Sequence, residues 1–218
     1  MKSELSKRIL TSLFLITIVI GCLFISKLTW LLLLITISII SWFEIINLFK
    51  KIFKKKIAIF NSNLISILYL TFFIFSAYSL LNNYNYSLVL FILFICVFSD
   101  IGGYVIGKSI GGKKLTKISP NKTVSGSIGS FIFSLFPIVI LIILNDNEVK
   151  EFLPINLVLS CLVISLLSQV GDLIVSYIKR LSKVKDTGNI LPGHGGLLDR
   201  IDGIIFTIPL VYIILLFL

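Results

Sequence analysis

Two stretches of the chain combine acidic side chains, basic side chains and glycines, which are the residue types that bind phosphate groups and cations. The first stretch runs from Ser99 to Gly126 and the second from Gly171 to Asp202. Carboxylate oxygens bind hard cations such as Mg²⁺. Lysine, arginine and closely spaced backbone N–H groups bind anions. These residues therefore indicate chemistry on phosphate-bearing molecules.

Four carboxylates in these stretches lie in or beside apolar segments. Asp100 and Asp172 each come late in a long apolar run. Asp199 and Asp202 open another run, and their i,i+3 spacing puts both on one helix face. A lone carboxylate at such a depth is costly, so each needs a partner or a metal. Four of them in one layer favour a cation site, and oxygen-only ligation suits Mg²⁺. The alternative is structural pairing with a basic neighbour: Lys179, Arg180 or Arg200.

Basic residues supply the second half of the pattern. Five lysines lie between positions 108 and 122 with no acid among them, and glycines and a Ser-Pro turn are interleaved. This composition favours polyphosphate binding over simple contact with anionic lipid. The lysine-rich segment 50–56 lacks those glycines, so it fits topology and lipid contact better.

His194 is the only histidine and lies between glycines and a proline. That setting predicts an exposed imidazole that donates to a phosphate or carries a proton. A plain turn histidine is the alternative reading.

The composition restricts where these stretches can be placed. Of 218 residues, 57% are hydrophobic and 14% charged, whereas soluble domains are about 25% charged. A soluble protein, a disordered chain and a disulfide-built module are therefore excluded, and the three cysteines have no paired spacing. About 20 apolar residues span a bilayer as a helix, and seven runs approach that length: 9–26, 28–49, 57–81, 86–107, 125–144, 155–177 and 201–218.

The basic residues sort by position along these seven runs. The N-terminus and the loops after runs two, four and six carry 18 of the 20 lysines and arginines. Cytoplasmic loops carry such an excess, so the pattern predicts a cytoplasmic N-terminus and an external C-terminus. The formal charge of +10 then reflects topology and phosphate binding, not nucleic acid. The predicted fold is an all-α polytopic membrane bundle of about seven helices, forming one domain over 1–218.

The motifs of both stretches resemble the phosphatidate cytidylyltransferase (CDP-diacylglycerol synthase) family. The family signature reads S-x-x-K-R-x4-K-D, then P-G-H-G-G, then D-R-x-D, and it matches residues 176–202 without a gap. Gly171-Asp172-Leu173 also fits, as does the upstream block around Asp100. The chain departs from the family pattern at Ser125 and Val175, two positions where the family often has glutamate.

The resemblance implies transfer of a cytidylyl group from CTP to phosphatidate, giving CDP-diacylglycerol and pyrophosphate. It also implies Mg²⁺ held by Asp172 and Asp199, with the presence of a second cation left open. The catalytic residues that it implies are Lys179, Arg180, Lys185, Asp186, His194, Arg200 and Asp202. The residues that it implies for binding CTP and the lipid phosphate are Asp100, Tyr104, Lys113, Ser119, Lys122, Thr123 and Ser176.

The resemblance further implies a bacterial inner-membrane protein whose active site faces the cytoplasm, in contact with membrane lipid and paired as a homodimer. Two alternatives stay open at this point. A small secondary transporter also carries intramembrane carboxylates, although such sites usually lie near the midplane between related halves. A relative acting on another lipid phosphate, such as an archaeal ether lipid, would share the signature.

Overall fold

The computed structural model describes residues 2–116, 119, 121–144, 157–191 and 195–217. These residues form helices and short connections, with only two isolated β-bridges and no strand among them. The all-α prediction is confirmed. The described helices are α1 (Lys2–Ile25), α2 (Lys27–Ile52), α3 (Lys56–Asn83), α4 (Tyr86–Ile110), α5 (Val124–Phe133), α6 (Phe136–Leu144), α7 (Leu157–Leu181) and α8 (Leu198–Leu216).

Five helical stretches within the described residues are long and apolar enough to cross a membrane: 27–52, 56–83, 86–110, 124–143 and 157–181. They correspond to five of the seven predicted runs. In the run at 9–26, only Thr11–Ile25 counts as a shorter apolar helix. The run at 201–218 lies in α8, whose first five residues include Asp199, Arg200 and Asp202. Seven crossings therefore remain a prediction.

The chain divides into two compact units. The first comprises residues 1–78 and 178–201, and the second comprises 79–177 and 202–218. In the first unit, indole N–H groups join α2 to α3. Trp30 donates to the Ala77 carbonyl at 3.4 Å, and Trp42 donates to the Asn63 side chain at 2.6 Å. These bonds satisfy one buried and one partly buried donor, for which hydrocarbon offers no acceptor.

In the second unit, α4 and α5 pack with their backbones in close approach. A Cβ added at Gly126 would lie 2.8 Å from the Gly103 carbonyl oxygen, and one at Gly129 would lie 2.5 Å from the Ile106 Cβ. Small residues permit this approach, which replaces the hydrophobic drive that helices lack in lipid. Because the backbones touch, the start of α5 is held against the half of α4 that carries Asp100.

Polar side chains tie α7 to the same pair of helices. The hydroxyls of Ser99 on α4 and Ser165 on α7 share a hydrogen bond of 2.8 Å, and both are buried. Ser127 on α5 donates to the amide oxygen of Gln169 on α7. Together these contacts fix the rotation of α7, so that the face carrying Asp172 turns toward α4 and α5.

We expect Gly126→Ala to destabilise the protein, because the new methyl would collide with backbone that cannot move aside. Overpacking of this kind costs about 1–3 kcal/mol. Gly21→Ala is the matched control, since a Cβ there meets nothing within 4 Å and alanine favours the helix. Thermal unfolding of the detergent-purified variants measures the difference. A Gly126→Ala protein as stable as Gly21→Ala would contradict the close packing of α4 and α5.

Candidate functional site

A cavity of about 360 Å³ opens in the second unit between α4, α5 and α7. This volume lies within the range of small-molecule sites, which is about 300–1,000 Å³. Six residues predicted from the sequence lie together in its wall: Asp100, Tyr104, Ser119, Lys122, Thr123 and Asp172. The other lining residues are Gly103, Leu115, Asn121, Gly126, Ser127, Ser130 and Gln169.

The connection between α4 and α5 folds back to deliver Lys122 to this cavity. Gly111 and Gly112 follow α4 with φ of +64° and +104°, a conformation that glycine adopts without strain. The chain then pairs with itself. The Leu115 N–H donates to the Lys122 carbonyl at 2.8 Å, and the Val124 N–H donates to the Lys113 carbonyl at 3.0 Å. The glycines predicted to approach a phosphate thus have a definite structural task, which is to reverse the chain.

Lys122 forms an ion pair with Asp172 across the cavity. Both side chains are partly exposed, at 27% and 28%, so a ligand can reach them. The hydroxyl of Ser176, one turn further along α7, donates to the other Asp172 oxygen at 3.2 Å. The pair thus presents an ammonium group, which binds phosphate oxygens, beside a carboxylate, which binds cations.

Two further predicted residues line the cavity from α4. Asp100 is exposed, and Tyr104 lies one turn later with 67% of its surface exposed. The Lys108 ammonium donates to the Tyr104 hydroxyl at 3.3 Å and lies 5.5 Å from the centre of its ring. A second lysine is therefore held near the cavity by the ring that lines it.

Thr123 lines the cavity and also begins α5. Its hydroxyl accepts from the Gly126 N–H at 3.0 Å as the N-cap. Ser125, one of the two departures from the family pattern, donates to the Gly111 carbonyl and so closes the reversed loop. Val175, the other departure, is buried at 5% exposure. The structure gives these two positions structural contacts in place of carboxylates.

In the first unit, Lys179 and Asp199 form a second ion pair. Lys179 donates to Asp199 Oδ1 at 2.7 Å, and the two side chains are 12% and 6% exposed. The backbone N–H groups of Thr187 and Gly196 donate to Oδ2 at 2.8 and 3.1 Å. Burial raises the pKa of the Asp199 carboxyl, but these donors outweigh it. That pKa lies below its usual value, so Asp199 is ionised at neutral pH.

The remaining predicted residues lie elsewhere. Arg180, Lys185, Asp186 and Arg200 are exposed in the first unit, and Lys113 is exposed in the second but does not line its cavity. Asp202 is buried in the second unit, where its carboxylate accepts from the Gly203 N–H at 2.8 Å. His194, Pro192 and Gly193 lie outside the described residues.

Three of the four predicted carboxylates lie in the second unit, and two of these three share the cavity. Among the described residues, no three histidine, cysteine, aspartate or glutamate side chains lie together in a way that could hold a metal ion. Asp100 and Asp172 share the cavity, whereas Asp202 accepts from the N–H of the next residue, Gly203. In the first unit, Asp199 is held by Lys179. Position along the apolar runs predicts a similar membrane depth for the four carboxylates, but it does not show which way each side chain points.

The sequence did not indicate several residues that line the cavity or contact the Lys179–Asp199 pair. Gln169 lies one turn before Asp172 on α7, and Ser127 and Ser130 lie on the face of α5 that begins with Thr123. Their helical spacing from predicted residues was a usable signal. Glu44 and Thr187 were also missed. No local sequence pattern pointed to Glu44, because it is far in sequence from Leu197 and Leu198, whose N–H groups donate to its carboxylate.

Comparison with known proteins agrees with the motifs. The model of the cytidylyltransferase family matches residues 51–218. The phosphatidate cytidylyltransferase of Bacillus subtilis (strain 168) is 40% identical over 136 residues, which is 62% of this chain and 49% of the relative. That of Staphylococcus saprophyticus is 41% identical over 129 residues, covering 59% of this chain and 48% of the relative. The chain spans about half the length of these curated relatives.

The matched region includes every element of the cavity, from α4 and the reversed loop through α5 and α7, together with the Lys179–Asp199 pair. The motifs, the site geometry and the family match therefore agree on one assignment: this chain belongs to the cytidylyltransferase family.

Proposed function

We propose that this chain transfers a cytidylyl group from CTP to phosphatidate, releasing pyrophosphate and forming CDP-diacylglycerol. The observation that carries the proposal is the second-unit cavity, in which Lys122, Asp172 and Asp100 lie among small hydroxyl side chains. Family membership supports the cytidylyl transfer, and the names of the relatives support phosphatidate as the acceptor.

The proposed reaction needs no nucleophile from the protein. A phosphate oxygen of phosphatidate attacks the α-phosphorus of CTP, a new P–O bond forms, and the bond to pyrophosphate breaks. The main barrier is bringing two polyanions together, which cationic side chains reduce by offsetting charge. Lys122 lines the cavity where this is proposed to occur. Roles in phosphate binding are likewise proposed for the exposed basic residues: Lys113, Arg180, Lys185 and Arg200.

Other predicted residues fit supporting roles. Ser119, Thr123 and Tyr104 place hydroxyl groups in the cavity wall, and Ser176 orients the Asp172 carboxylate. Catalytic roles are proposed for Asp186, Asp202 and His194, as the resemblance implies. His194 would donate to a phosphate or carry a proton. Lys179 is proposed to bind a phosphate group, which would require it to exchange its Asp199 partner.

Mg²⁺ is proposed as the cofactor, and the residues present fit it unevenly. Asp172 fits well, because it is accessible and shares the cavity with a second carboxylate, Asp100. Mg²⁺ typically takes one or two carboxylates, and water and substrate phosphates complete its shell. Asp199 fits less readily, because a cation there would have to share Oδ1 with Lys179. When bound, the metal would neutralise part of the triphosphate charge.

The finer topology is also proposed. Seven crossings with a cytoplasmic N-terminus would put the cavity of α4, α5 and α7 near the cytoplasmic face of a bacterial inner membrane. Soluble CTP and a membrane-held phosphatidate head group could both reach that level. The distribution of basic residues supports this orientation. A homodimer is proposed on the family resemblance alone.

The activity is tested with radiolabelled CTP and the purified protein in mixed micelles. We expect label to enter an organic-soluble product when phosphatidate is supplied, to stop when EDTA is added, and to resume when Mg²⁺ is restored in excess. Lipid phosphates with ether-linked chains test the acceptor class. No incorporation with any lipid phosphate, together with ion flux in proteoliposomes, would contradict the proposal in favour of a transporter.

Asp172→Asn and Lys122→Met each test the cavity. Loss of either member removes a preorganised charge from the site, so we expect kcat/KM for CTP to fall about 100-fold or more. Lys54→Met is the matched control, because Lys54 is an exposed lysine of the first unit outside the cavity. Variants of Asp172 and Lys122 that retain the activity of Lys54→Met would rule out this cavity as the reaction site.

The topology is tested by cysteine labelling in a background without Cys22, Cys96 and Cys161. Lys27→Cys is expected to react with a membrane-impermeant maleimide in intact spheroplasts, because the prediction places Lys27 outside. Lys54→Cys is expected to react only after permeabilisation. The cysteine-free protein controls for background labelling, and the reverse pattern of accessibility would contradict a cytoplasmic N-terminus.

A further inference from the structure

A buried carboxylate in the first unit lies outside the matched family region and outside every predicted site. Glu44 belongs to α2 and is only 3% exposed, seven residues before the family match begins. A buried carboxylate in an apolar helix is costly unless its oxygens accept hydrogen bonds. The hydrogen-bond donors around Glu44 therefore indicate its role.

Three donors from the signature segment converge on Glu44. Its Oε1 accepts from the Leu197 N–H at 2.9 Å, while Oε2 accepts from the Leu198 N–H at 2.9 Å and from the Thr187 hydroxyl at 2.7 Å. Leu198 is the first residue of α8. Glu44 thus caps the beginning of α8 from another helix, where a negative charge is also favoured by the helix dipole.

Two glycines make room for this carboxylate. A Cβ added at Gly188 would lie 2.7 Å from Glu44 Oε1, and one at Gly196 would lie 2.5 Å from Oε2. Only glycine leaves room for the side chain at both points. The glycine at 196, part of the signature motif, therefore makes space for a glutamate that the motif does not contain.

Thr187 connects Glu44 to Asp199. Its hydroxyl lies 2.7 Å from Glu44 Oε2 and 3.0 Å from Asp199 Oδ2, and its N–H donates to the same Asp199 oxygen. A hydroxyl has one proton to donate, so the two carboxylates share it. The position of Thr187 is thereby set by Glu44, and the orientation of Asp199 is set by Thr187.

We propose that Glu44 is a positioning residue, which fixes the loop residues 187–188 and 196–198 and through Thr187 orients the Asp199 carboxylate toward Lys179. This inference rests on the proposed function for its effect on catalysis. Its structural part, anchoring of the loop, stands independently. Hydrogen-bond partners that orient a metal-binding side chain, the role proposed for Asp199, typically change metal affinity or activity by about 10–100-fold when removed.

The test compares Glu44→Gln, Thr187→Val and Thr187→Ser, with Ser41→Ala as control. Ser41 lies one turn before Glu44 on α2 and is fully buried, and its hydroxyl makes no hydrogen bond among the described residues. Its removal therefore tests helix packing without disturbing the loop. Serine at position 187 keeps the shared hydroxyl, whereas valine keeps the shape and loses it.

We expect Glu44→Gln and Thr187→Val each to lower kcat for CTP about 10–100-fold with a much smaller change in KM. Thr187→Ser and Ser41→Ala should behave like wild type. The Glu44→Gln/Thr187→Val double variant should be little worse than the more impaired single variant, because both changes break one chain of contacts. Full activity of Glu44→Gln, additive losses in the double variant, or equal damage by serine and valine would overturn the proposal.

Hydrogen–deuterium exchange separates this inference from the proposed function. In Glu44→Gln the amides of residues 187–191 and 195–198 should exchange faster than in wild type and Ser41→Ala. A wild-type protein inactive with every lipid phosphate would refute the proposed function, and unchanged exchange in Glu44→Gln would refute the anchoring whatever the activity. If Glu44→Gln is not recovered from the membrane, exchange in Thr187→Val against Thr187→Ser decides instead, and equal exchange in that pair refutes the inference.

Discussion

The constraint on which the structure depends is the cost of a carboxylate in or beside an apolar helix. Each of three such groups is held by donors from a different segment: Asp172 by Lys122, Asp199 by Lys179, and Glu44 by the backbone N–H groups of Leu197 and Leu198. For the buried Lys179–Asp199 pair, removing one partner costs about 3–5 kcal/mol. The surrounding segments are therefore tied to the helices at these points.

The three pairings differ in how readily a substrate could change them. Lys122 and Asp172 are each more than a quarter exposed, whereas Asp199 is 6% exposed and Glu44 3%. An accessible lysine–aspartate pair can be separated by a ligand that brings its own charges, because a phosphate can take the lysine while a cation takes the aspartate. Glu44, which is held by two backbone N–H groups and a hydroxyl with no lysine or arginine partner among the described residues, has no such exchange and serves to fix geometry. We propose that the protein uses the first kind of pair for binding and the second kind for support.

The sequence predicted the helical class and five of the apolar spans, because apolar run length is a local property. Six residues that the motifs indicate as functional lie together in the cavity wall, and their roles stay a prediction. The role of Gly111 and Gly112 in reversing the chain, and of Thr123 as the N-cap of α5, was less accessible, because the same residue types suit phosphate binding. The contact between Glu44 and Leu197 joins residues 153 positions apart, and no local pattern encodes such a pairing. Position along the apolar runs likewise could not show that Asp202 lies outside the cavity shared by Asp100 and Asp172, since depth does not determine the direction of a side chain.

The central proposal is that the cavity of α4, α5 and α7 binds a nucleotide–metal complex, with the metal at Asp172 and a phosphate at Lys122. Anomalous diffraction from crystals grown with Mn²⁺ and CTP would test this most directly, since Mn²⁺ replaces Mg²⁺ at oxygen-ligand sites and its position is read without a prior assumption. We predict an anomalous peak in contact with an Asp172 carboxylate oxygen, with Lys122 turned from Asp172 to a phosphate. A bound CTP–Mn²⁺ complex located elsewhere, with the Lys122–Asp172 pair intact, would contradict it.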